Sequence, residues 1–463
     1  MKTHSQQQIG DPVPPGSKVL VIGAGESGVS AARLLLAESA DVTLADFQVH
    51  PAHSNETLRA LAEAGVRLTF GPDCVRTEEV ADFVYAVVSP GVDSTVGPVR
   101  ELGLAGLAMV SEIELAWLRA ARPCVAVTGT NGKTTTTQLI ELMLNACGKR
   151  TRASGNIGPS MSRQMLTGEE LDIDTLEVSS FQLETIHRFH PHGVVWTNFA
   201  EDHLDRYPSM DAYRRAKLRI FENQGEGDFA VVNLRDALPG IRAERITFSA
   251  YTGGGDFELK DGAIRYRGEP LLAAGSIRLR GAHNVENMMA ALGVGVGLGL
   301  DLRACAEAIA TYQPQPHRCE LVATVNDVEY VNDSKATNLD SVEKALMSEV
   351  RPVVLIAGGK DKGFGFGPLT DLVSARCRAA VLIGEMADRI RDEWSPRVDC
   401  HSASSLPDAL ELASRLSFAG DVVLLSPGTS SFDMFKNYAE RGEVFREEVR
   451  KLAKRAAFEN QDH

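Results

Sequence analysis

The amino-acid sequence predicts an α/β protein of three domains built on largely parallel sheets. At 463 residues the chain is well beyond the ~250–300 residues at which a single hydrophobic core stops growing. Short β-branched runs alternate with helical patterns along nearly its whole length. Most of those runs end in Gly or Ser, where a parallel strand would meet a ligand-binding loop.

The first strand is KVLVIG (18–23), followed by a helix from Ser27 to about Glu38 and by the strands DVTLAD (41–46) and DFVYAVVSPG (82–91). A second unit opens with CVAVTG (124–129) and continues through DTLEVSS (174–180), GVVWTN (193–198) and FAVVN (229–233). Prolines in TYQPQPHR (311–318) end the helical pattern there, because proline cannot continue a helix and biases the residue before it away from αR. Beyond them lie VEYVND (328–333), PVVLIAGG (352–359), AAVLIGE (379–385) and DVVLLSPG (421–428). The predicted domains are therefore 17–111, 112–313 and 314–463, after a polar, proline-rich segment 1–16 expected to be a disordered tail.

Lys and Arg number 48 against 62 Asp and Glu, a formal net charge of −14, and no basic run compensates. This argues against nucleic acid as a partner, but not against small anions held at local basic spots. Seven scattered cysteines without a CxxC pair point to neither a disulfide framework nor a zinc site. The N-terminus has no apolar signal region, and ALGVGVGLGL (291–300) is far shorter than the ~18 residues needed to span a bilayer. No membrane span is expected, and the expected location is the cytoplasm.

Two glycine loops carry the chemistry. GAGESG (23–28) follows a strand and opens a helix, the pattern in which backbone N–H groups meet a diphosphate; a bare strand-to-helix turn is the plainer alternative. Taken alone it would suggest NAD. The second, VTGTNGKTTTT (127–137), is a shortened phosphate loop whose first glycine is displaced to Gly129. Gly132 admits phosphate to the backbone, Lys133 reaches the β and γ oxygens, and the Thr134 hydroxyl is a Mg²⁺ ligand type.

Glu177 interrupts a buried strand, where a carboxylate is costly unless a cation meets it. It is the better metal candidate, since Mg²⁺ takes oxygen ligands. His203 follows another strand end. In DAYRRAKLRIFE (211–222), Tyr213, Lys217 and Phe221 share one helical face. A lysine on that apolar stripe is anomalous unless it snorkels to solvent, whereas Arg214, Arg215 and Arg219 read as the solvated side.

Together, VTGTNGKTT, GNIG (155–158), EVSSFQLE (177–184), TNFAEDHLDRY (197–207), GAHNVEN (281–287), PHRCE (316–320), VNDSKATN (331–338) and SPGTSSFDMFKNYAERG (426–442) resemble the Mur ligases, and most closely their D-glutamate-adding branch. The resemblance covers all but the N-terminal segment. It implies a Rossmann-like N-terminal domain for a UDP-sugar, a central P-loop ATPase domain and a Rossmann-like C-terminal domain for the incoming amino acid. The implied activity is ATP-dependent addition of D-glutamate to UDP-N-acetylmuramoyl-L-alanine through an acyl phosphate, a cytoplasmic step of peptidoglycan precursor synthesis.

The resemblance also implies the site. Gly129, Thr130, Asn131, Gly132, Lys133, Thr134 and Thr135 cradle ATP, with Asn284 on adenine, Arg318 on the phosphates and Asp333 on the ribose. Thr134 and Glu177 serve a first Mg²⁺, and His203 with a carbamylated Lys217 serves a second. Gly25, Ser27, Asp46, Gly91, Asn156 and Ser179 meet the UDP substrate. Lys335, Thr337, Lys362, Ser431 and Phe432 meet D-glutamate. Lys133, His203 and Lys217 are the catalytic candidates, and a monomer is expected.

Some positions depart from the pattern. Glu26 would repel a diphosphate unless it points away, and Phe47-Gln48 stand where a small hydroxyl and an arginine would suit uridine. The alternatives are a Mur-type ligase for a different amino acid and, from another class, an NAD-dependent oxidoreductase that would leave the second loop idle. An Arg-containing DNPR signature, which would mark the diamino-acid ligases, is absent.

Overall fold

The computed structural model describes residues 9–459 except 50–54, 96, 205, 277–280, 314–315 and 364. Three sheets follow one another along the chain. The first contains β1 (Lys18–Ile22), β2 (Asp41–Asp46), β3 (Arg67–Phe70), β4 (Ala86–Val88) and β5 (Met109–Ser111) in the order β3-β2-β1-β4-β5, all parallel. Strand order reverses between β1 and β4, so the loops after them, 23–25 and 89–91, open at the crevice where such sheets bind ligands. Gly28 lets helix Glu26–Ala37 sit on that crevice, since a Cβ there would lie 1.9 Å from the Gly23 carbonyl oxygen.

The second sheet contains β6 (Cys124–Thr128), β7 (Ala153–Gly155), β8 (Asp174–Glu177), β9 (Gly193–Trp196), β10 (Phe229–Asn233), β11 (Glu244–Ser249), β12 (Phe257–Lys260), β13 (Ala263–Tyr266) and β14 (Glu269–Ala273). Their order is β14-β13-β12-β11-β10-β9-β6-β8-β7, parallel from β7 to β12 and antiparallel only through β13 and β14. The β6, β8 and β9 positions are buried throughout, as expected of a sheet covered on both faces. Sequence reading named no strand between 234 and 327, a stretch that includes this edge.

The third sheet contains β15 (Glu320–Val325), β16 (Val328–Asn332), β17 (Val353–Gly358), β18 (Cys377–Ile383), β19 (Cys400–Ser402) and β20 (Val422–Leu425), ordered β15-β16-β20-β17-β18-β19 with only β15 antiparallel. Separate buried clusters line its two faces.

Two readings need correction. Residues 1–8 of the expected disordered tail lie outside the described residues, but within 9–16 both Gly10 and Val13 are buried while the three prolines and Gly16 are exposed. Val13 is buried within the hydrophobic cluster that includes Val19, Val42 and Tyr85, and the Gly10 carbonyl accepts from Arg119 at 2.8 Å. Arg219 is not on a solvated face either, because the helix Met210–Leu218 gives way to a 3₁₀ turn over Arg219–Phe221. That turn directs the guanidinium at the carbonyls of Leu183 (3.0 Å) and Ile186 (2.5 Å).

Candidate active site

The carboxyl ends of the second and third sheets face one another across a cleft. From the middle domain, the loop after β6 leads into helix Lys133–Ala146. Gly132 adopts φ 82°, and a Cβ there would come 2.2 Å from Asn287 Oδ1, so only glycine fits. No side chain caps this helix and its first turn holds no acidic residue, leaving N–H groups and the positive dipole end directed at the cleft. Lys133 folds back over the loop, donating to the carbonyls of Thr130 (2.8 Å) and Gly129 (3.0 Å). Burial lowers its pKa, against the opposing pull of Glu177 and Asp202.

Lys217 does not snorkel to solvent. It is 1% exposed, its Nζ donates to the Gly129 carbonyl at 2.7 Å, and it lies 4.7 Å from the Tyr213 ring centroid. Burial, then the neighbouring Lys133, push its pKa well below the usual lysine value.

Glu177, the last residue of β8, is buried. Its Oε1 accepts from Asn156 Nδ2 at 2.7 Å, while Oε2 is buried with no hydrogen-bond partner. An orphaned carboxylate oxygen in the cleft that Thr134 also lines fits a hard cation held by oxygens. Among the described residues, no group of three or more His, Cys, Asp or Glu forms a metal cluster.

His203 sits at φ 55°, its ring 4.9 Å from Phe181 and 5.8 Å from Tyr213 by centroid. Burial lowers its pKa despite Asp202 beside it. Asp202 connects the two domains: Asn338 donates to it at 3.1 Å, and Lys362 Nζ lies 3.5 Å away. Burial opposes ionisation at Asp202, but Lys362, His203 and Asn338 outweigh it and hold its carboxyl below the ordinary value.

From the third domain, Asp333 at the end of β16 accepts from the Cys319 N–H (3.2 Å) and Ser426 (3.0 Å), and burial pushes its pKa up to about 7. Lys335 stacks 3.9 Å from the Tyr438 ring centroid, and Lys362 donates to the Thr337 carbonyl at 3.2 Å. A protein of net charge −14 thus gathers Lys133, Arg318, Lys335, Lys344 and Lys362 around one cleft, a local field suited to anions.

Of the expected residues, Thr130 through Thr135, Asn156, Glu177, His203, Asn284, Arg318, Asp333, Lys335, Thr337 and Lys362 line this cleft. Gly129 and Lys217 lie just behind it. Ser179 caps its own short helix, accepting from the Gln182 N–H at 3.3 Å. Phe432 is 66% exposed and Ser431 is buried, and neither lines the cleft. Gly25, Ser27, Asp46 and Gly91 gather instead at the first sheet's crevice, where Asp46 accepts from the Ala24 N–H at 2.8 Å. Glu26 points away from that loop, accepting from Ser160 of the middle domain at 3.1 Å, which removes the repulsion its position suggested.

Sequence reading missed Asp202, His283, Asn287, Asn338, Ser341 and Lys344. Signals existed for three of them: Asp202 precedes His203, Asn287 lies one turn beyond Asn284, and Asn338 closes the DSKATN run.

Three α/β domains with a shortened phosphate loop facing a cationic third domain define a nucleotide-dependent ligase. The comparisons agree. The model of the Mur ligase MurD-like N-terminal domain matches residues 17–111, the Mur ligase middle domain 127–295, and the Mur ligase glutamate ligase domain 317–428. The UDP-N-acetylmuramoylalanine–D-glutamate ligase of Geotalea daltonii is 41% identical over 447 residues, covering 95% of this chain and 98% of that protein. The one from Trichlorobacter lovleyi is 43% identical over 444 residues, covering 94% and 99%. In fold the chain is similar to MurF ligase from Thermotoga maritima in complex with ADP, with a TM-score of 0.60 at 16% identity, covering 95% and 96%. It is likewise similar to UDP-N-acetylmuramate-alanine ligase MurC from Thermotoga maritima, with a TM-score of 0.58 at 19% identity, covering 94% and 99%.

The chain belongs to the Mur ligase family, within it to the UDP-N-acetylmuramoylalanine–D-glutamate ligases, and is an ATP-dependent ligase of peptidoglycan synthesis. The dehydrogenase alternative falls with that assignment. No helix among the described residues is long and apolar enough to cross a membrane.

Proposed function

We propose that the chain, acting as a cytoplasmic monomer with domains 17–111, 112–313 and 314–463, joins D-glutamate to UDP-N-acetylmuramoyl-L-alanine. The UDP-sugar lies at the first sheet's crevice, against Gly25, Ser27, Asp46 and Gly91, and extends toward Asn156 and Ser179. ATP lies on residues 129–135, with Asn284 on its base, Asp333 on its ribose and Arg318 on its phosphates. D-Glutamate is held by Lys335, Thr337 and Lys362, with Ser431 and Phe432 at the outer edge.

The substrate carboxylate and the γ-phosphate repel each other, so the chain's task is to concentrate positive charge and align the two. Lys133 neutralises the β and γ oxygens. The carboxylate oxygen then bonds to the γ-phosphorus as ADP departs. The D-glutamate amine attacks the acyl carbon, and the tetrahedral intermediate collapses to amide and phosphate, with a proton lost from nitrogen. Thr134 and Glu177 would hold one Mg²⁺, and His203 with Lys217 carbamylated at Nζ a second; the ions would add positive charge beside the phosphates. Carbamylation needs a neutral amine, and burial with a second lysine alongside lowers the Lys217 pKa in that direction.

The observation that carries the reading is the pairing of an uncapped helix N-terminus and Lys133 with the unpartnered Glu177 oxygen in one cleft. Phosphate release from ATP, measured with UDP-N-acetylmuramoyl-L-alanine and each candidate amino acid, tests it. Equal release with L-alanine, a diamino acid or a dipeptide in place of D-glutamate would sink the specificity.

A further inference from the structure

We propose that the first turn of helix Leu339–Ser348 latches the third domain onto the phosphate loop through the side chain of Asn131, making Asn338, Asp340 and Ser341 positioning residues for the ligation. The proposal rests on the reading of the cleft given above.

Asn131 is shared between two domains. Its backbone belongs to the middle domain: the N–H donates to Asn198 Oδ1 at 3.0 Å, and the carbonyl accepts from Asn198 Nδ2 at 3.0 Å and Thr197 Oγ1 at 2.6 Å. Its carboxamide belongs to the third domain. Oδ1 accepts from Ser341 Oγ at 3.0 Å and Asn338 Nδ2 at 3.3 Å, while Nδ2 donates to Asp340.

The partners are themselves fixed. Lys344, one turn on, pairs with Asp340 at 2.7 Å. Asn338 accepts from the Ser341 N–H at 3.0 Å, capping its helix, and donates to Asp202 at 3.1 Å. At the far end of the helix, Ser348 Oγ lies 3.4 Å from Nδ1 of His283, the neighbour of Asn284. The helix thus runs along the nucleotide cleft and touches it at both ends.

Asn131 is two residues from Lys133, and Asn338 directly follows Thr337. Ligands on the phosphate loop and on the amino-acid segment therefore bias one docking equilibrium, and each strengthens the other's hold. Nδ2 also donates to Asn338 Oδ1 at 3.4 Å, so parting the domains exchanges four carboxamide bonds for water at once.

The test is a double-mutant cycle between Asn131→Ala and Ser341→Ala, read as kcat/KM for D-glutamate in ATP-dependent phosphate release. Ser341→Ala is expected to lower it about three- to tenfold, the range of one lost hydrogen bond, with KM for the UDP-sugar unmoved. In the Asn131→Ala background it should cost nothing further. Effects that multiply, or a Ser341→Ala enzyme indistinguishable from the parent, overturn the latch. If Ser341→Ala does not fold, Asp340→Ala enters the same cycle from the other side of the carboxamide. Calorimetric titration of the parent chain with ADP separates the two failures. No ADP binding sinks the nucleotide reading itself, whereas ADP binding with multiplying effects sinks the latch alone.

Discussion

Lys217 and Lys133 donate to the same acceptor, the Gly129 carbonyl, at 2.7 Å and 3.0 Å. Two ammonium groups on one oxygen repel, and both amines are held below the usual lysine pKa. A carbamate on Lys217 would replace that repulsion by attraction and turn a misplaced cation into an oxygen ligand. Lys217→Ala should therefore lose ligation by more than about a hundredfold, the scale of a lost electrostatic group in a dry site. Added formate or acetate should restore part of it, measured as phosphate release. A fully active Lys217→Ala enzyme contradicts the assignment.

Glu177 carries a buried oxygen with no hydrogen-bond partner, a position that gains when a hard cation meets it. Glu177→Gln keeps an acceptor for Asn156 and removes the charge. The parent should gain more stability than the variant from Mg²⁺ with ADP, and chelation should erase that gain. Thermal melts of both chains under these conditions decide it, and equal Mg²⁺ responses would speak against a metal at Glu177.

The alternation of strand and helix and both glycine loops were legible in the sequence, because each rests on short-range chemistry: β-branched runs, glycines at tight approaches, a lysine after Gly132; most other cleft residues were reached only through the resemblance to the Mur ligases. What escaped was set by domain docking. Nothing local in Asn338 or Ser341 announces that they meet Asn131 more than 200 residues away. The burial of Lys217 was visible only as an anomaly, since snorkelling and burial share one helical pattern. Val13 shows the opposite error, a composition that suggested disorder where Val13 is buried and the Gly10 carbonyl accepts from Arg119.

Arg206 joins the middle domain to the first. It pairs with Glu184 at 2.7 Å, donates to the carbonyls of Pro90 (3.3 Å) and Val92 (3.1 Å), and lies 4.2 Å from the Phe181 ring centroid. Glu184 also accepts from Tyr207 at 2.7 Å and from Ser94 of the first domain at 3.2 Å. The loop around Gly91 is thereby fixed relative to Phe181, the ring beside His203. Arg206→Ala should raise KM for the UDP-sugar about tenfold while leaving KM for ATP nearly unchanged, the loss expected when a charged partner of a hydrogen-bonded network is removed. Arg206→Lys should recover little, because one ammonium cannot reproduce the fork. Kinetics with each substrate varied in turn check this, and equal rises in both KM values would refute it.

Glu112 gives a pH dependence with a definite sign. Its side chain is buried; Oε1 accepts from the Ser162 N–H at 2.6 Å and Oε2 has no partner. Burial raises its pKa from 4.5 to about 7. Between those values the folded chain holds a proton that the unfolded chain has released, so stability falls as pH rises through this window. The contribution is fully present below 4.5 and lost above about 7. A shift of that size corresponds to at most ~3 kcal/mol. Glu112→Gln keeps the acceptor for Ser162 and cannot ionise. It should be more stable than the parent at pH 8 and close to it at pH 5, so the difference between their unfolding free energies, measured in urea at both pH values, should grow with pH. A difference that stays flat or shrinks would show that Glu112 is ionised in the fold or compensated by a neighbour.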